Sequence, residues 1–406
     1  MIAALALAIL PTFATTTDAE PDIVVLAGGK EVSCRVLYED DTKVVYRARR
    51  KNREVPREEV ESVRSIERSL REFLGAYDAV EAPGPEELVE LATFCEQREL
   101  HAEARNLWIR ILTLDPVHEG AWTKLGGVES RKGWRLRVRG RFYTIDELRE
   151  RASDWKNAME LPTAHFLVRT DIAPEQALDV TLDVERAYLA FYELLGPVLE
   201  LYPFDEVPEI HIFSDANDYP KPPTPGRAWF SPVANTLYVD ASTEEALTPH
   251  EVVSNLTYGL LANAFQRTLG KSGLIAPWAR RGMAESFGLA ARRDAGHASW
   301  DFGVPYLPYF RAQAGDPDAL DLRKLVGAGF TSFDSGSDQE RYVRQSYTLT
   351  FFLVYAEDGA HRAGFAEYLR SSFGGQGAIS HLSKALGMEV DALERAWTEY
   401  VAAVAR

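Results

Sequence analysis

The stretch Thr248-Pro249-His250-Glu251-Val252-Val253-Ser254 is where residue type and spacing point to chemistry. Two histidines four residues apart on a helix present both imidazoles to one metal ion, and a glutamate directly after the first is placed as general base on metal-bound water. His250 and Glu251 supply the first half of that pattern, while Ser254 stands at the second imidazole position. A second stretch, Trp278-Ala279-Arg280-Arg281-Gly282-Met283-Ala284-Glu285, adds an arginine and a glutamate one helical turn apart. Thr248, Pro249 and Glu251 also fit an N-cap, an N1 proline and an N3 glutamate, so a capping box that starts the helix accounts for Glu251 without catalysis. His297, His361 and His381 are scattered, and none stands four residues from another histidine. The sequence contains no Gly-x-Ser-x-Gly elbow, P-loop or dinucleotide fingerprint, which sets aside the common serine-hydrolase and nucleotide-binding readings.

These residues need helices to position them. Apolar spacing predicts one helix from Pro249 to about Thr268 and another from about Trp278 to Arg293. Upstream, His165 to Thr170 and Glu209 to Phe213 read as strands around a long amphipathic helix from Pro174 to Leu195. Ala228 to Phe230 and Leu237 to Asp240 read as two more strands, joined by a turn holding Pro232 and Asn235, with Leu237 to Asp240 as the edge strand. Strands and a helix followed by helices to the end is an α+β order.

The N-terminal part follows other rules. Short β-rich runs from Ile23 to Ile66, punctuated by Gly28-Gly29 and Asp40-Asp41, suggest a small SH3-like barrel over 22–66. Segment 67–130 is helical. Leu88, Leu91, Ala92, Cys95, Ala104, Trp108 and Ile111 at helix spacing resemble one tetratricopeptide-type hairpin, and one repeat serves better as a spacer than as a groove. Residues 131–155 form a linker in which arginines alternate around Trp134 and Gly140, as in a β-hairpin with a solvated basic face. Residues 156–406 are then one larger domain.

The chain has 406 residues, 46% hydrophobic and 26% charged, the balance of a globular protein of two or three units. A net charge of −16 argues against nucleic acid as a partner. The apolar run Ile2 to Leu10, followed by Pro11 and small residues up to Ala14 and Ala19, reads as a signal peptide over 1–19 and predicts export to periplasm, envelope or medium. It is too short to span a bilayer, and no later run is long enough. Cys34 and Cys95 allow one disulfide outside the cytoplasm, although two buried free thiols are the preferred reading.

Residues from about 160 to 406 resemble a peptidase-MA-like domain of the gluzincin group of zinc metallopeptidases. The resemblance rests on the strand at His165-Phe166, the strand Leu237 to Asp240, the His250-Glu251 helix, the Trp278 to Glu285 helix, and Tyr342-Val343-Arg344-Gln345-Ser346-Tyr347 at the start of a later helix. It implies a zincin-like fold, a zinc ion, a third ligand from a glutamate in a Trp-x-x-Glu-Gly-x-Ala-Glu stretch, and a peptide cleft. Trp278, Tyr342 and Tyr347 are its candidate cleft residues.

The departures decide the expected chemistry. Arg281 stands where the resemblance requires the third ligand, and Ser254 where it requires the second. If a three-ligand zinc site is worth about 10–16 kcal/mol, losing two ligands removes roughly 6–10, or about four to seven orders of magnitude in affinity. A guanidinium stays protonated and repels the cation as well. The expectation is a peptidase-like protein with a degenerate site, without a cofactor, that binds a peptide or protein in the inherited cleft. Arg281 is expected to pair with Glu251 or Glu285. The alternative is an active zinc peptidase with His250 and Glu285 as ligands and Glu251 as base, and a third reading is a scaffold that binds through its N-terminal modules.

Overall fold

The structure is a computed structural model and describes residues 22–49, 51–131, 133–138, 140–199, 201, 207–222, 227–243, 247–269, 273–291, 293–294, 297–298, 300, 302–334 and 338–406. Segment 1–19, read above as a signal peptide, lies outside the described residues. The architecture is α+β.

Alternating apolar residues over 22–64 produce β1 (Asp22–Leu26), β2 (Lys30–Glu39), β3 (Lys43–Ala48), β4 (Lys51–Pro56) and β5 (Val60–Arg64). They pair antiparallel in the order β4-β3-β2-β1-β5. Val24, Val36, Val44, Tyr46, Val60 and Val63 are buried together as the core of this sheet. Gly28 and Gly29, at φ of +90° and +78°, take the left-handed turn between β1 and β2 that a side chain would strain.

Helices follow: α1 (Ile66–Asp78), α2 (Pro85–Gln97), α3 (His101–Leu114) and α4 (Glu119–Lys124). Leu88, Leu91, Ala92 and Cys95 of α2 and Ala104, Leu107, Trp108 and Ile111 of α3 are buried where the two helices pack, the hairpin expected from their spacing. Cys34 and Cys95 are both free and buried, so no disulfide joins them. The basic linker is a sheet of three strands rather than a hairpin, in the order β6 (Val128–Ser130), β7 (Gly133–Val138), β8 (Arg141–Tyr143). After α5 (Ile145–Ala152) come β9 (Met159–Pro162), β10 (Leu167–Thr170), α6 (Pro174–Leu199), β11 (Glu209–Phe213), β12 (Ala228–Ser231) and β13 (Thr236–Asp240).

The remainder comprises α7 (Pro249–Leu269), α8 (Pro277–Ala290), the short β14 (Arg293–Asp294) and β15 (His297–Ala298), α9 (Leu307–Ala314), α10 (Leu322–Val326), α11 (Thr331–Asp334), α12 (Gln339–Tyr355), α13 (Arg362–Phe373), α14 (Ile379–Leu386) and α15 (Val390–Val404). Among the described residues no helix is long and apolar enough to cross a membrane.

The chain divides into two compact units, Met1–Leu189 with Asp205–Pro220 and Tyr238–Ala246, and Ala190–Phe204 with Lys221–Leu237 and Leu247–Arg406. In the first, β10 runs parallel to β11 with Val168 opposite Ile210, and antiparallel to β9 with Val168 opposite Leu161. The last residues of β13 follow β11 on the far side from β10. β12 and β13 form a hairpin through a turn in which Asn235 takes φ +51°, so β13 has a strand on each flank and is not the edge expected from sequence. His165 and Phe166 precede β10 rather than opening it, because Thr163 closes a tight turn on Phe166 through its backbone and hydroxyl.

In the second unit α8 packs between α7 and α12. Two glycines make this possible. A Cβ on Gly288 would lie 2.0 Å from the Ser254 hydroxyl and 2.8 Å from the His250 carbonyl oxygen of α7. A Cβ on Gly282 would lie 2.4 Å from the Ser346 carbonyl oxygen of α12. α7 is buried almost all round, through Val252, Val253, Leu256, Leu260, Leu261 and Phe265.

Candidate functional site

α7 starts where the sequence places it. The Thr248 hydroxyl accepts from the Glu251 backbone N–H at 3.2 Å, and Pro249 opens the first turn. The Glu251 carboxylate is half-buried and, among the described residues, makes no hydrogen bond or ion pair; its backbone carbonyl accepts from Asn255 at 2.9 Å. The return contact of a capping box is therefore not made.

His250 and Glu285, 35 residues apart, meet where α7 crosses α8. Their separation is 3.2 Å from Nε2 to Oε1, with His250 29% and Glu285 2% exposed. The Tyr309 hydroxyl of α9 donates to the same Oε1 at 2.9 Å. Arg281 extends along α8 so that its Nη2 stands 3.6 Å from Glu285 Oε2, while its Nη1 donates to the Tyr258 hydroxyl of α7 at 3.1 Å. The expected pairing of Arg281 is with Glu285 and not with Glu251.

Electrostatics follow from this geometry. Burial alone would raise the Glu285 carboxyl, but His250, Arg281 and Tyr309 together hold it below the ordinary carboxylate value. Glu285 is then ionised, and His250 Nε2 carries the proton it donates. Burial raises the Tyr309 hydroxyl, and the adjacent Glu285 charge raises it further, so Tyr309 remains a donor. Arg281 loses some hydration by burial, yet Tyr258 and Glu285 more than restore its charge.

Ser254 points at the same helix crossing and, among the described residues, its hydroxyl has no hydrogen-bond partner. The hydroxyl is buried and is held against Gly288. An imidazole at this position would occupy space that the α8 backbone fills. Among the described residues no group of three or more His, Cys, Asp or Glu side chains is placed to hold a metal ion.

The remaining candidates are distributed through the helical packing. Trp278 is fully buried, its indole N–H donating to Tyr368 at 3.0 Å, which in turn donates to the Gly377 carbonyl at 2.6 Å; it is a core residue and not a cleft wall. Tyr347 is also buried, and its hydroxyl accepts from the Tyr306 N–H at 2.7 Å while its ring meets Tyr309 edge-on. Tyr342 is half-buried and packs on Phe333. His361 lies beside Phe352, and His381 sits on α14. His297 falls in β15, its side chain outside the described residues.

A second titratable cluster, in the first unit, was not visible as a site in the sequence. His165 Nδ1 stands 2.7 Å from Glu185 Oε2 of α6 and its Nε2 stands 3.8 Å from Glu67 of α1. Glu185 also accepts from the His165 N–H at 2.7 Å and from the Thr163 hydroxyl, and Glu103 of α3 accepts from the Ala164 N–H at 2.7 Å. Burial would depress the imidazole, but Glu185 and Glu67 push it up to about 10. Burial, reinforced by Glu185, pushes Glu103 up to about 7, and burial with the nearby Glu67 does the same for Asp22. A small cavity of about 20 Å³ beside Glu103 and Glu185 is large enough for one water molecule. The signal available in sequence was limited to acidic residues on the inner faces of helices: Glu103 falls one residue before the buried Ala104, and Glu185 one residue after the buried Val184.

No protein-family model matches the chain, and no curated protein matches it.

Proposed function

We propose that this chain is an exported, peptidase-like protein whose metal site has been replaced by an internal network, and that it acts by binding a peptide or protein rather than by hydrolysis. Residues 156–406 are read as a zincin-like domain of the peptidase-MA-like group on the strength of the His250-Glu251 and Trp278 to Glu285 stretches, and export on the Ile2 to Leu10 run.

One observation carries the reading: Arg281 faces Glu285, which is already bonded to His250. Zinc does not fit these donors. Three protein ligands must converge on one point with room for the ion. Here the two available ligands are spent on each other, Ser254 is neutral and pressed against Gly288, and a guanidinium stands 3.6 Å from the carboxylate. The cation is supplied by the chain itself, so no hydrolytic step follows from this site. The active-peptidase alternative would require Glu285 to leave both His250 and Arg281, and it would leave a buried arginine without its charge partner.

The test is elemental analysis of the purified protein after equilibration with zinc, paired with a peptidase assay of wild type and Glu251→Gln. The expected result is substoichiometric zinc and no turnover by either form. Stoichiometric zinc with activity abolished by Glu251→Gln would overturn the reading.

A further inference from the structure

We propose that the outer face of the β6-β7-β8 sheet is a docking surface for an extended acidic peptide segment with carboxylates at every second position. Strand register decides which residues share that face. Val128 stands opposite Arg135, and Arg137 opposite Phe142, so these four side chains lie together on one side. The opposite side is covered: Trp134 stacks on Trp122 at 6.3 Å, Leu136 and Val138 are buried, and Arg151 lies over the Tyr143 ring. Glu129 pairs with Trp134 and so belongs to that covered side.

The outer face therefore carries two arginines and no carboxylate from its own strands, in a chain whose net charge is −16. Among the described residues neither arginine has an ion-pair partner, and the Arg135 Nε is buried without an acceptor. Val128 and Phe142 flank the pair at 52% and 47% exposure, so apolar surface is on offer beside the charge. Arg135 and Arg137 are two residues apart on one strand, a spacing of about 7 Å that carboxylates at every second position of an extended peptide repeat. Each guanidinium can take a carboxylate through two parallel N–H donors. The methylene stems of those same carboxylate side chains, which face the sheet, lie over Val128 and Phe142, while the residues between them point away from it. A polyanion such as nucleic acid is disfavoured because the acidic remainder of the molecule repels a dense charge array at longer range, while two or three carboxylates are little affected.

The experiment is fluorescence anisotropy of a labelled peptide alternating glutamate and valine, titrated with the full chain, beside a lysine–valine counterpart. Saturable binding of the glutamate peptide alone is expected. The double variant Arg135→Gln/Arg137→Gln should weaken it about tenfold, and added salt should weaken it further. Phe142→Ser should weaken it while leaving the salt dependence unchanged. An unchanged thermal midpoint in each variant shows that the sheet is intact; if the double variant melts early, Arg137→Gln and Phe142→Ser carry the test. Equal binding of both peptides, or affinity indifferent to the arginines and to Phe142, overturns the proposal. So does binding of phosphatidylglycerol vesicles or single-stranded RNA through these arginines in place of the peptide.

Discussion

Arg281 is the cation that faces the buried Glu285 carboxylate, 3.6 Å from its Oε2. Removing it leaves Glu285, 2% exposed, with His250 and Tyr309 as its remaining partners among the described residues. Breaking a fully buried pair costs about 3–5 kcal/mol, but Arg281 is 27% exposed and partly screened, so Arg281→Ala should destabilise the protein by about 1–2 kcal/mol in urea unfolding. Unchanged stability would remove the pair from the account. Placing an imidazole at position 254 should not create a zinc site either. Ser254→His drives a ring into the Gly288 backbone, an overpacking that costs about 1–3 kcal/mol, and the variant should still not retain zinc through dialysis.

At the level of elements, the site depends on how closely α8 approaches α7 and α12. Gly282 and Gly288 are six residues apart and face different neighbours, so one helix is clamped twice. Gly282→Ala would place a methyl group 2.4 Å from the Ser346 carbonyl oxygen, which is backbone and cannot rotate away. The helices must then separate, and the melting temperature should fall although alanine favours helix; the cost expected is about 1–3 kcal/mol. A rise in melting temperature would show that α12 yields freely. The tight α7–α8 crossing also explains why Trp278 turned out to be core: a helix packed on two sides leaves few positions for a cleft.

Over the whole molecule the net charge of −16 sits beside a buried cluster in which Asp22 and Glu103 are held near a pKa of about 7 and His165 near about 10. Each of these folded-state values lies above its unfolded one. Between about pH 4 and 7 the folded chain keeps protons on Asp22 and Glu103 that the unfolded chain releases, and between about 6.5 and 10 it keeps one on His165. Stability should therefore fall as pH rises from 5 to 9. Glu67 and Glu285, whose carboxyls are lowered, act in the opposite sense but lose their contribution only below the ordinary carboxylate range. Glu103→Gln should flatten the slope between about pH 5 and 7 and leave the His165 part above it. Denaturation across that range would detect this, and a slope identical to wild type would exclude Glu103 as a contributor.

Local pattern was enough for the helices of the site, the strand content of 22–64, the α2–α3 hairpin and the two free thiols, because apolar periodicity and turn residues act over a few positions. The meeting of the two site helices was legible in part for the same reason: the identity and spacing of His250, Arg281 and Glu285 place them on two predicted helices. The partner of Arg281 was left between Glu251 and Glu285, and only the angle at which α8 crosses α7 chose Glu285. The flank strands of β13, the burial of Trp278 and the meeting of His165 with Glu67, Glu103 and Glu185 were likewise decided by packing between segments far apart in the chain. Contacts of that kind depend on how elements are stacked, which short-range pattern does not encode.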